Sequence, residues 1–441
     1  MDIQQTLARL GLQALTPMQQ AAHRAWTDGR DLILLSPTGT GKTLAYLLPL
    51  AAELTTDTSD VQAVIVTPTR ELAQQTAAVY RSLGTLPPAL CLHGGRPTMD
   101  EHRRLRDVCP ALIIATPGRL CDHLRKQNFD PRSVRTLVID EFDKCLELGF
   151  REELKELTAA LPAVRRRVLL SATDAEEIPD FLPLDDSTSG ALRLNFLGEG
   201  TQDTRLAFRQ VHSPSRDKLD TLLRLLCTLG TTPSLVFVNH RESVDRIARF
   251  LREQRYPCAA FHGGMEQDDR ERALYRFRNG TCTALVCTDL AARGLDIEGV
   301  GAVIHYHLPT QADAFPHRNG RTARWTATGT AYLILGPDEP LPGYIAEDIP
   351  TFTLPDTPLP IPRPTWATIY IGKGKRDRLS RADVVGFLCK QGGLGRDDLG
   401  RVDVLPRFAL AAVRADRLRQ ALRLVQGEKI KGLKTRIEEA K

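Results

Sequence analysis

The stretch "SPTGTGKT", residues 36–43, combines glycines, a lysine and hydroxyl groups in a spacing that suits phosphate binding. Gly39 and Gly41 allow backbone N–H groups to approach phosphate oxygens, and the helix that follows adds the positive end of its dipole. Lys42 can reach the β- and γ-phosphates, and the hydroxyl of Thr43 can ligate Mg²⁺. Because an apolar strand precedes the loop and a helix follows it, a nucleotide-binding loop is favoured over a Gly-rich turn.

A second candidate, "VIDEFDKCLELGF" at residues 138–150, is an apolar strand that ends on carboxylates. Alone, it is more typical of an acidic turn than of a catalytic motif. A phosphate loop, however, needs a second strand whose tip supplies carboxylates for a metal and for the attacking water. Asp140 is then expected to face Mg²⁺, and Glu141 to take a proton from water. The bulky Phe142 leaves open whether this site is intact or damaged.

Apolar strands alternate with amphipathic helical stretches in two successive blocks, which predicts helix-covered parallel sheets of the α/β class. Ligands on such sheets collect at the carboxyl ends of the strands. The first block contains "DLILLS" (31–36), "AVIVT" (63–67), "ALIIAT" (111–116), "TLVID" (136–140) and "RVLLSAT" (167–173). The second block contains "SLVFVN" (234–239), "CAAFHG" (258–263), "TALVCT" (283–288), "AVIHYH" (302–307) and "TAYLIL" (330–335).

The length of 441 residues suggests about three domains. We predict domains at 1–198, 206–336 and 366–441. The segment 337–365 is expected to be an extended linker, because 336–364 contains nine prolines. The nine cysteines are scattered without a CxxC spacing, so neither a disulfide framework nor a zinc site is indicated. The chain shows neither a signal peptide nor an apolar membrane span, so a cytoplasmic protein without membrane contact is expected.

The charge is unevenly distributed along the chain. Residues 366–441 contain 18 Lys/Arg and 9 Asp/Glu, which gives +9. The whole chain has a net charge of +5, so the residues before 366 sum to −4. The basic tail is therefore the expected binding region for a polyanion.

Seven motifs occur in the order typical of the DEAD-box RNA helicases, and residues 10–335 resemble that family almost without a gap. They are "SPTGTGKT" (36–43), "PTREL" (68–72), "TPGRL" (116–120), "DEFD" (140–143), "SAT" (171–173), "TDLAARGLDI" (288–297) and "HRNGRTAR" (317–324). The resemblance implies two tandem RecA-like P-loop domains, ATP and Mg²⁺ as cofactors, and ATP-dependent local unwinding of RNA. It also implies that the ATP site is complete only when both domains close.

The resemblance assigns roles to individual side chains. Gln19 would read the adenine, and Asp296 would meet the ribose. The ATP and Mg²⁺ contacts would be Gln19, Ser36, Thr38, Gly39, Thr40, Gly41, Lys42, Thr43, Asp140 and Asp296, with Thr43 and Asp140 on the metal. The catalytic residues would be Lys42, Asp140, Glu141 and the arginine fingers Arg321 and Arg324. Coupling between the ATP and RNA sites would involve Asp143, Ser171, Thr173 and His317.

The implied RNA surface of the two domains consists of hydroxyls, glycine amides and guanidinium groups. Such groups contact phosphates and 2′-hydroxyls and carry little base information. The residues are Thr69, Arg70, Gly95, Thr116, Gly118, Arg119, Gly263, Arg270 and Thr288.

The tail resembles the C-terminal RNA-binding domain of the DbpA-type bacterial helicases, an RRM-like α+β module. This resemblance implies docking on a hairpin of large-subunit (23S) ribosomal RNA during ribosome assembly, by a monomer. Tyr370 lies on the strand face opposite Ile369 and Ile371, where it can stack on a base. Because "RFALAAV" lacks the paired aromatics of an RRM, we expect cations to dominate RNA binding. They are Lys373, Lys375, Arg376, Arg378, Lys429, Lys431 and Lys434.

Three positions depart from the family's pattern: Phe142, His307 and Pro316. We expect Phe142 to point away from the phosphates and to fill apolar space near Leu146 and Phe150. Two other functions are kept as alternatives. One is an RNA-binding clamp that hydrolyses ATP slowly or not at all, which a damaging Phe142 would favour. The other is a DNA translocase, which the tail and "SAT" disfavour.

Overall fold

A computed structural model describes residues 3–37, 40–94, 98–173, 179–182, 184, 191–197, 206–289, 300–312, 314–322, 328–345, 348–357 and 359–440. These residues divide into two compact units, one up to residue 197 and one from residue 206 onward. Within the described part of the chain, no helix has both the length and the apolar character needed to cross a membrane. All nine cysteines are free thiols.

The first unit is a helix-covered sheet whose strand pairs are all parallel. The sheet order is β3-β4-β2-β5-β6-β1-β7. Its strands are β1 (Leu32–Leu35), β2 (Ala63–Val66), β3 (Ala89–Leu92), β4 (Leu112–Ala115), β5 (Thr136–Ile139), β6 (Arg166–Ser171) and β7 (Leu192–Asn195). Its helices are α1 (Ile3–Arg9), α2 (Pro17–Thr27), α3 (Lys42–Glu53), α4 (Arg70–Ser82), α5 (Thr98–Val108), α6 (Pro117–Arg125), α7 (Phe142–Glu147) and α8 (Arg151–Ala160).

Both faces of this sheet are buried, which explains its continuous apolar strands. In β1, Leu34 packs into the core on one face, whereas Ile33 packs into the core on the other. Successive strand residues point to opposite faces, so a strand covered on both sides must be apolar throughout. The five strands predicted for the first block are confirmed. The edge strands β3 and β7 were not predicted; both are only partly buried.

The second unit contains a six-stranded sheet with the order β10-β11-β9-β12-β13-β8. Its described strand pairs are all parallel. Its strands are β8 (Leu206–His212), β9 (Ser234–Phe237), β10 (Cys258–Phe261), β11 (Ala284–Cys287), β12 (Ala302–His305) and β13 (Gly329–Leu335). The described helices are α9 (Leu219–Leu229), α10 (Arg241–Glu253), α11 (Gln267–Arg278) and α12 (Ala314–Asn319). The five strands predicted for the second block are confirmed, and the edge strand β8 was missed.

The proline-rich segment is extended but packs along the second unit, which differs from the linker that the sequence predicts. Thr351 forms a parallel bridge with Gln210 of β8, and the Phe352 N–H donates to the Gln210 carbonyl (2.7 Å). Ile345 is buried in an apolar cluster with Leu333. The prolines prevent regular structure, but the apolar residues between them have surface to bury.

The tail forms an α+β module with the element order β-α-β-β-α-β, in agreement with the RRM-like module that the resemblance implies. Its antiparallel sheet has the order β15-β16-β14-β19. The strands are β14 (Trp366–Ile371), β15 (Leu399–Val404), β16 (Ala409–Arg414) and β19 (Ile437–Glu439), with a small ribbon of β17 (Lys429–Ile430) and β18 (Leu433–Lys434). The helices are α13 (Arg381–Lys390) and α14 (Leu418–Val425). Ser380 and Asp383 form a capping box at the start of α13, which explains why the helix begins there.

Candidate nucleotide and RNA sites

The phosphate loop meets the acidic strand tip at one edge of the first sheet. Strands β5, β6 and β1 are neighbours, and all three are parallel. The Ser36 N–H donates to the Ser171 carbonyl (3.1 Å), which joins the loop to the end of β6. The start of the phosphate loop and the segments 140–143 and 171–173, far apart in sequence, therefore lie side by side.

Gly41 closes the phosphate loop in a conformation that requires glycine. Its φ is +87°, and a Cβ there would lie 2.5 Å from the Gln19 side-chain nitrogen. Gln19 donates to the Gly41 carbonyl (3.2 Å) and also accepts from the Thr16 N–H (3.0 Å). Gln19, which is 2 % exposed, therefore braces the loop. The adenine contact predicted for Gln19 stays a prediction.

Lys42 lies within the curve of the loop. It begins α3, and its Nζ donates to the carbonyls of Ser36 and Pro37, the latter at 2.8 Å. The Thr40 hydroxyl lies 2.8 Å from that of Ser36. Thr43 follows in the first turn of α3 and is partly exposed. Thr38 and Gly39 lie outside the described residues.

Asp140 is a buried carboxylate held by two donors. Its Oδ2 accepts from the Tyr46 hydroxyl (2.9 Å), and its Oδ1 accepts from the Glu141 N–H (3.0 Å). Burial raises the pKa of Asp140, while the Tyr46 hydrogen bond and the Lys42 charge oppose that rise. Tyr46 was not predicted as a site residue. A lone phenol within the apolar helix α3 was the available signal, because a buried hydroxyl requires a partner.

Phe142 lies behind the strand tip. It is 2 % exposed and belongs to the apolar cluster that contains Leu154 and Leu157, with Leu146 packed against that cluster. The predicted packing near Leu146 is confirmed, whereas Phe150 is not part of the cluster. Glu141 has a left-handed backbone (φ +48°), so the chain turns sharply between the strand and α7.

The structure brings together three of the four predicted coupling residues. The Thr173 hydroxyl donates to Asp143 Oδ2 (3.0 Å), and the Thr173 N–H donates to the Ser171 hydroxyl (3.0 Å). The Ser171 hydroxyl in turn donates to the Thr173 carbonyl (2.5 Å). His317 belongs to the second unit, where it is 4 % exposed. The tips of β5 and β6 are thus joined by side chains.

The predicted RNA contacts of the first unit follow β2, β3 and β4, the other half of the same edge. Thr69 and Thr116 are the N-cap residues of α4 and α6. The Arg70 guanidinium lies against Gly94, where a Cβ would be 2.9 Å from its Nη2. Arg119 donates to the Thr98 hydroxyl (2.6 Å). Gly118 lies in the first turn of α6, and Gly95 lies outside the described residues.

In the second unit, Gly263 and Thr288 follow the neighbouring strands β10 and β11. His262 orders the first of these loops, since its ring accepts from the Gly264 N–H (3.2 Å). Arg270 is 6 % exposed and donates to Gln267 (2.8 Å). Arg270 is therefore mainly buried within α11, whereas Gly263 is exposed.

Arg318 is the central cation of the motif "HRNGRTAR" and was not predicted. It is fully buried and pairs with Asp289, at 2.5 and 3.1 Å. It also donates to Asn239 Oδ1 (2.8 Å) and the His307 carbonyl (2.7 Å). Of the residues of the second unit that are predicted to contact ATP, Arg321 is 4 % exposed. Asp296 and Arg324 lie outside the described residues.

The structure explains two departures from the family's pattern. Burial, with the Lys218 charge next, lowers the pKa of His307 to about 4, so this histidine is neutral at pH 7. The Arg318 charge is balanced by Asp289 and needs no acid at position 307. Pro316 lies in the first turn of α12, where a helix leaves its N–H groups without helical partners. A proline is tolerated at such a position.

The sheet face of the tail packs against helix α11 of the second unit. Tyr275 of α11 is buried with Phe408 and Leu410 of the tail. The Arg272 guanidinium lies 5.2 Å from the ring centre of Tyr370, which itself lies 5.4 Å from Phe408. The Tyr370 ring thus packs on the side of the sheet that faces α11 and is only partly buried. Its predicted base stacking stays a prediction.

A hydrogen bond and an ion pair hold the same interface together. Asn279 donates to the Thr368 hydroxyl (2.9 Å), and Arg407 pairs with Asp268. The tail and α11 are therefore joined by polar as well as apolar contacts.

The cations of the tail fall into two groups. Lys373 pairs with Asp377 (2.9 Å) and Lys431 with Asp383 (3.0 Å), so both are engaged within the tail. Five others are exposed: Lys375, Arg376, Arg378, Lys429 and Lys434. Among the described residues, no ion pair involves Lys375, Lys429 or Lys434.

This arrangement defines a P-loop ATPase of the helicase class, with two RecA-like units and an added RNA-binding module. Residues 16–181 match the DEAD/DEAH box helicase family, 217–326 the helicase conserved C-terminal domain, and 368–439 the DbpA RNA binding domain. The chain belongs to the DEAD-box family of ATP-dependent RNA helicases, which are RNA-stimulated ATPases.

Relatives of full length support this assignment. The chain is 33% identical to the ATP-dependent RNA helicase DbpA of Escherichia coli, covering 98% of this chain and 95% of that protein. It is 28% identical to the DbpA of Bacillus subtilis, over 100% and 97%. A structure of Mss116p bound to single-stranded RNA and AMP-PNP is 26% identical, with a TM-score of 0.67 over 77% of this chain and 73% of that one.

Proposed function

We propose that this helicase uses ATP to open short RNA duplexes on large-subunit ribosomal RNA during ribosome assembly, as a monomer in the cytoplasm. The observation that carries the proposal is the set of hydrogen bonds that orients the carboxylates at the strand tips. Tyr46 holds Asp140, Thr173 holds Asp143, and Lys42 lies beside them in the phosphate loop. Such positioning favours phosphoryl transfer, which depends on orientation and charge neutralisation.

ATP would bind with its phosphates in the curve of the loop. Lys42 would exchange its carbonyl partners for phosphate oxygens, and Gln19 would link the adenine to Gly41. The oxygen donors of Thr43 and Asp140 fit Mg²⁺, which when bound would neutralise charge on the phosphates. Both Asp140 oxygens already accept hydrogen bonds, so we propose that this carboxylate reaches the metal through water.

Hydrolysis would begin at Glu141, which we propose takes a proton from the attacking water. Arg321 and Arg324 of the second unit would stabilise the charge that develops on the γ-phosphate. Thr173 and Asp143 would transmit the state of the nucleotide to the RNA-facing half of the first unit. The ribose contact of Asp296 and the coupling role of His317 remain part of this proposal.

The tail would bind a ribosomal RNA hairpin and so recruit the enzyme to that RNA. Its net charge of +9 and its match to the DbpA RNA binding domain support this role. With the sheet face packed against α11, we propose that the exposed cations supply the contacts. Lys375, Lys429 and Lys434 are the best candidates, because phosphate binding requires cations that are available at the surface.

The test is an unwinding assay with two labelled substrates, a short generic RNA duplex and the same duplex joined to a 23S ribosomal RNA hairpin. Wild-type enzyme should open both substrates with ATP. The enzyme concentration needed for half-maximal unwinding should be much lower for the hairpin substrate. Lys375→Glu/Lys429→Glu/Lys434→Glu should remove most of that advantage and leave the generic duplex less affected. An equal loss on both substrates would show that the tail contributes only electrostatic affinity.

The two alternative functions are not favoured. A slow clamp would be expected if Phe142 obstructed the site, but this ring lies in the apolar core behind the strand tip. Greater stimulation of the ATPase by single-stranded DNA than by RNA would instead support a DNA translocase.

A further inference from the structure

A buried carboxylate lies beneath the predicted RNA contacts of the first unit, outside the seven sequence motifs. Glu101 of α5 is 1 % exposed. His93 and His123, which lie around it, are fully buried. A charge removed from water is tolerated only when hydrogen bonds and opposite charge compensate for it. The partners of Glu101 therefore indicate what it does.

Three groups surround this carboxylate. Arg119 Nη1 lies 3.5 Å from Oε2 and supplies the positive charge. His123 Nε2 lies 3.2 Å from the same oxygen, and the His93 N–H donates to Oε1 (3.4 Å). Asn128 donates to His123 Nδ1 (2.8 Å), which leaves the proton of a neutral ring on Nε2, facing Glu101.

Each partner belongs to a different segment of the RNA-facing edge. His93 follows β3 directly, and its ring contacts both the Gly94 carbonyl (2.8 Å) and Gln74 of α4 (3.0 Å). Arg119 lies in the first turn of α6 and also donates to Thr98 at the start of α5 (2.6 Å). One carboxylate thus connects the two ends of the loop 94–98 to α6.

We propose that Glu101 is a positioning residue for RNA binding. It holds the Arg119 guanidinium and the end of β3 in fixed positions, so that the RNA backbone meets a preformed set of donors. Preformed donors lose less entropy on binding than mobile ones, because their side chains are already ordered. This inference rests on the proposed RNA contact of Arg119.

The test is the RNA concentration that half-saturates ATPase stimulation by an oligouridylate. Glu101→Gln preserves the shape but removes the charge, and places an amide N–H group near other donors. We expect the half-saturating concentration to rise about ten-fold, equivalent to about 1.4 kcal/mol. The turnover number at saturating RNA and the KM for ATP should change by less than about two-fold.

Asp31→Asn is the matched control. Asp31 precedes β1 at the opposite edge of the sheet, is 3 % exposed and pairs with Arg167 (3.6 Å). This variant should lower the melting temperature without raising the half-saturating RNA concentration. If both variants raised that concentration equally, the effect of Glu101 would be general destabilisation, and the proposal would be wrong.

A double-mutant cycle separates this proposal from the one on which it rests. If Glu101 acts through Arg119, Glu101→Gln should add little to the effect of Arg119→Gln, whereas additive effects would overturn the proposal. Normal RNA binding by Arg119→Gln would refute the RNA contact itself. If Arg119→Gln weakens binding and Glu101→Gln does not, only the positioning role fails. If Glu101→Gln does not fold, the half-saturating RNA concentration of the double variant is compared with that of Arg119→Gln. Equal values support the positioning role, and a higher value for the double variant overturns it.

Discussion

The two sheet-based units share a parallel architecture but place opposite charges at the ends of their strands. In the first unit, hydroxyl groups hold two buried carboxylates: Tyr46 donates to Asp140, and Thr173 donates to Asp143. In the second unit, the corresponding buried charge is a guanidinium. Arg318 is held by Asp289 and by a carbonyl oxygen of the chain.

The difference concerns how a buried charge is stabilised. A hydroxyl donor stabilises a carboxylate without cancelling its charge, so the first unit keeps negative charge for a cation. An ion pair cancels most of the charge on Arg318, so this residue supports the fold more than it offers an open ligand site. The carboxylates of the first unit can therefore still attract a cation, whereas the ion pair in the second unit mainly stabilises the fold.

The largest expected effect lies in the first unit. Glu141→Gln should lower RNA-stimulated ATP hydrolysis by about 100-fold or more, because it removes the proposed base. The melting temperature and ATP affinity should change little, since the amide preserves the shape. Phosphate release and nucleotide binding measured on the same preparation would test this. Wild-type turnover in this variant would refute the role of Glu141.

Arg318→Met should mainly lower the stability of the protein, in contrast to Glu141→Gln. It leaves Asp289 without its main cation and should destabilise the second unit by about 3–5 kcal/mol. The companion Arg318→Met/Asp289→Asn should recover part of that loss, because no charge remains unpaired. Urea unfolding of the three proteins gives the comparison. A single variant as stable as wild type would show that the pair contributes nothing to folding.

Phe142→Ala should cost stability rather than activity, by about 3 kcal/mol for the lost contacts and the cavity. ATP hydrolysis measured well below the melting temperature should stay within about three-fold of wild type, since no polar group of the site is removed. Leu157→Ala, in the same cluster, is the control. A large loss of hydrolysis with unaltered melting would place Phe142 in the chemistry instead.

The stability of the second unit should fall in acid. Burial lowers the pKa of His305 to about 3 and that of His307 to about 4, and the Arg318 charge adds to both shifts. Between pH 6.5 and 4 the unfolded chain binds protons that the folded unit does not, so the free energy of unfolding decreases as pH falls. For the fully buried His305, the loss should reach roughly 3 kcal/mol by pH 4.

His305→Gln provides the check on this pH dependence. It keeps a donor for Asn319, which lies 2.8 Å from the histidine ring, but it does not titrate. Denaturant unfolding at several pH values should show a flatter profile for this variant than for wild type. Parallel profiles would mean that His305 is not the source of the acid sensitivity.

Much of the fold was predictable because fully buried parallel strands are apolar throughout. Every strand of that kind was found, such as β1 and β11. The edge strands β3, β7 and β8 were missed, since an edge position leaves a strand only partly buried and removes the need for a continuous apolar run. The proline-rich segment was correctly expected to be extended, but local pattern does not reveal what an extended segment packs against.

For the candidate site, local motifs predicted the residues whose function depends on adjacent backbone. Gly41, Lys42 and Asp140 are of this kind, because a loop, a helix start and a strand tip are encoded within a few residues. Tyr46, Glu101 and Arg318 were not predicted, because their hydrogen-bond and ion-pair partners are distant in the chain. Asp140 is 94 residues from Tyr46, and Asp289 is 29 from Arg318.

The sequence alone determined the family, the order of the domains and the residues found at the strand tips, since ordered motifs and apolar periodicity are local properties. The tertiary structure decided which charges are buried and what compensates them. It decided that Phe142 lies in the apolar core, that Arg119, His93 and His123 surround Glu101, and that Tyr370 packs against α11. Burial and pairing depend on contacts between distant segments, and those contacts exist only once the chain has folded.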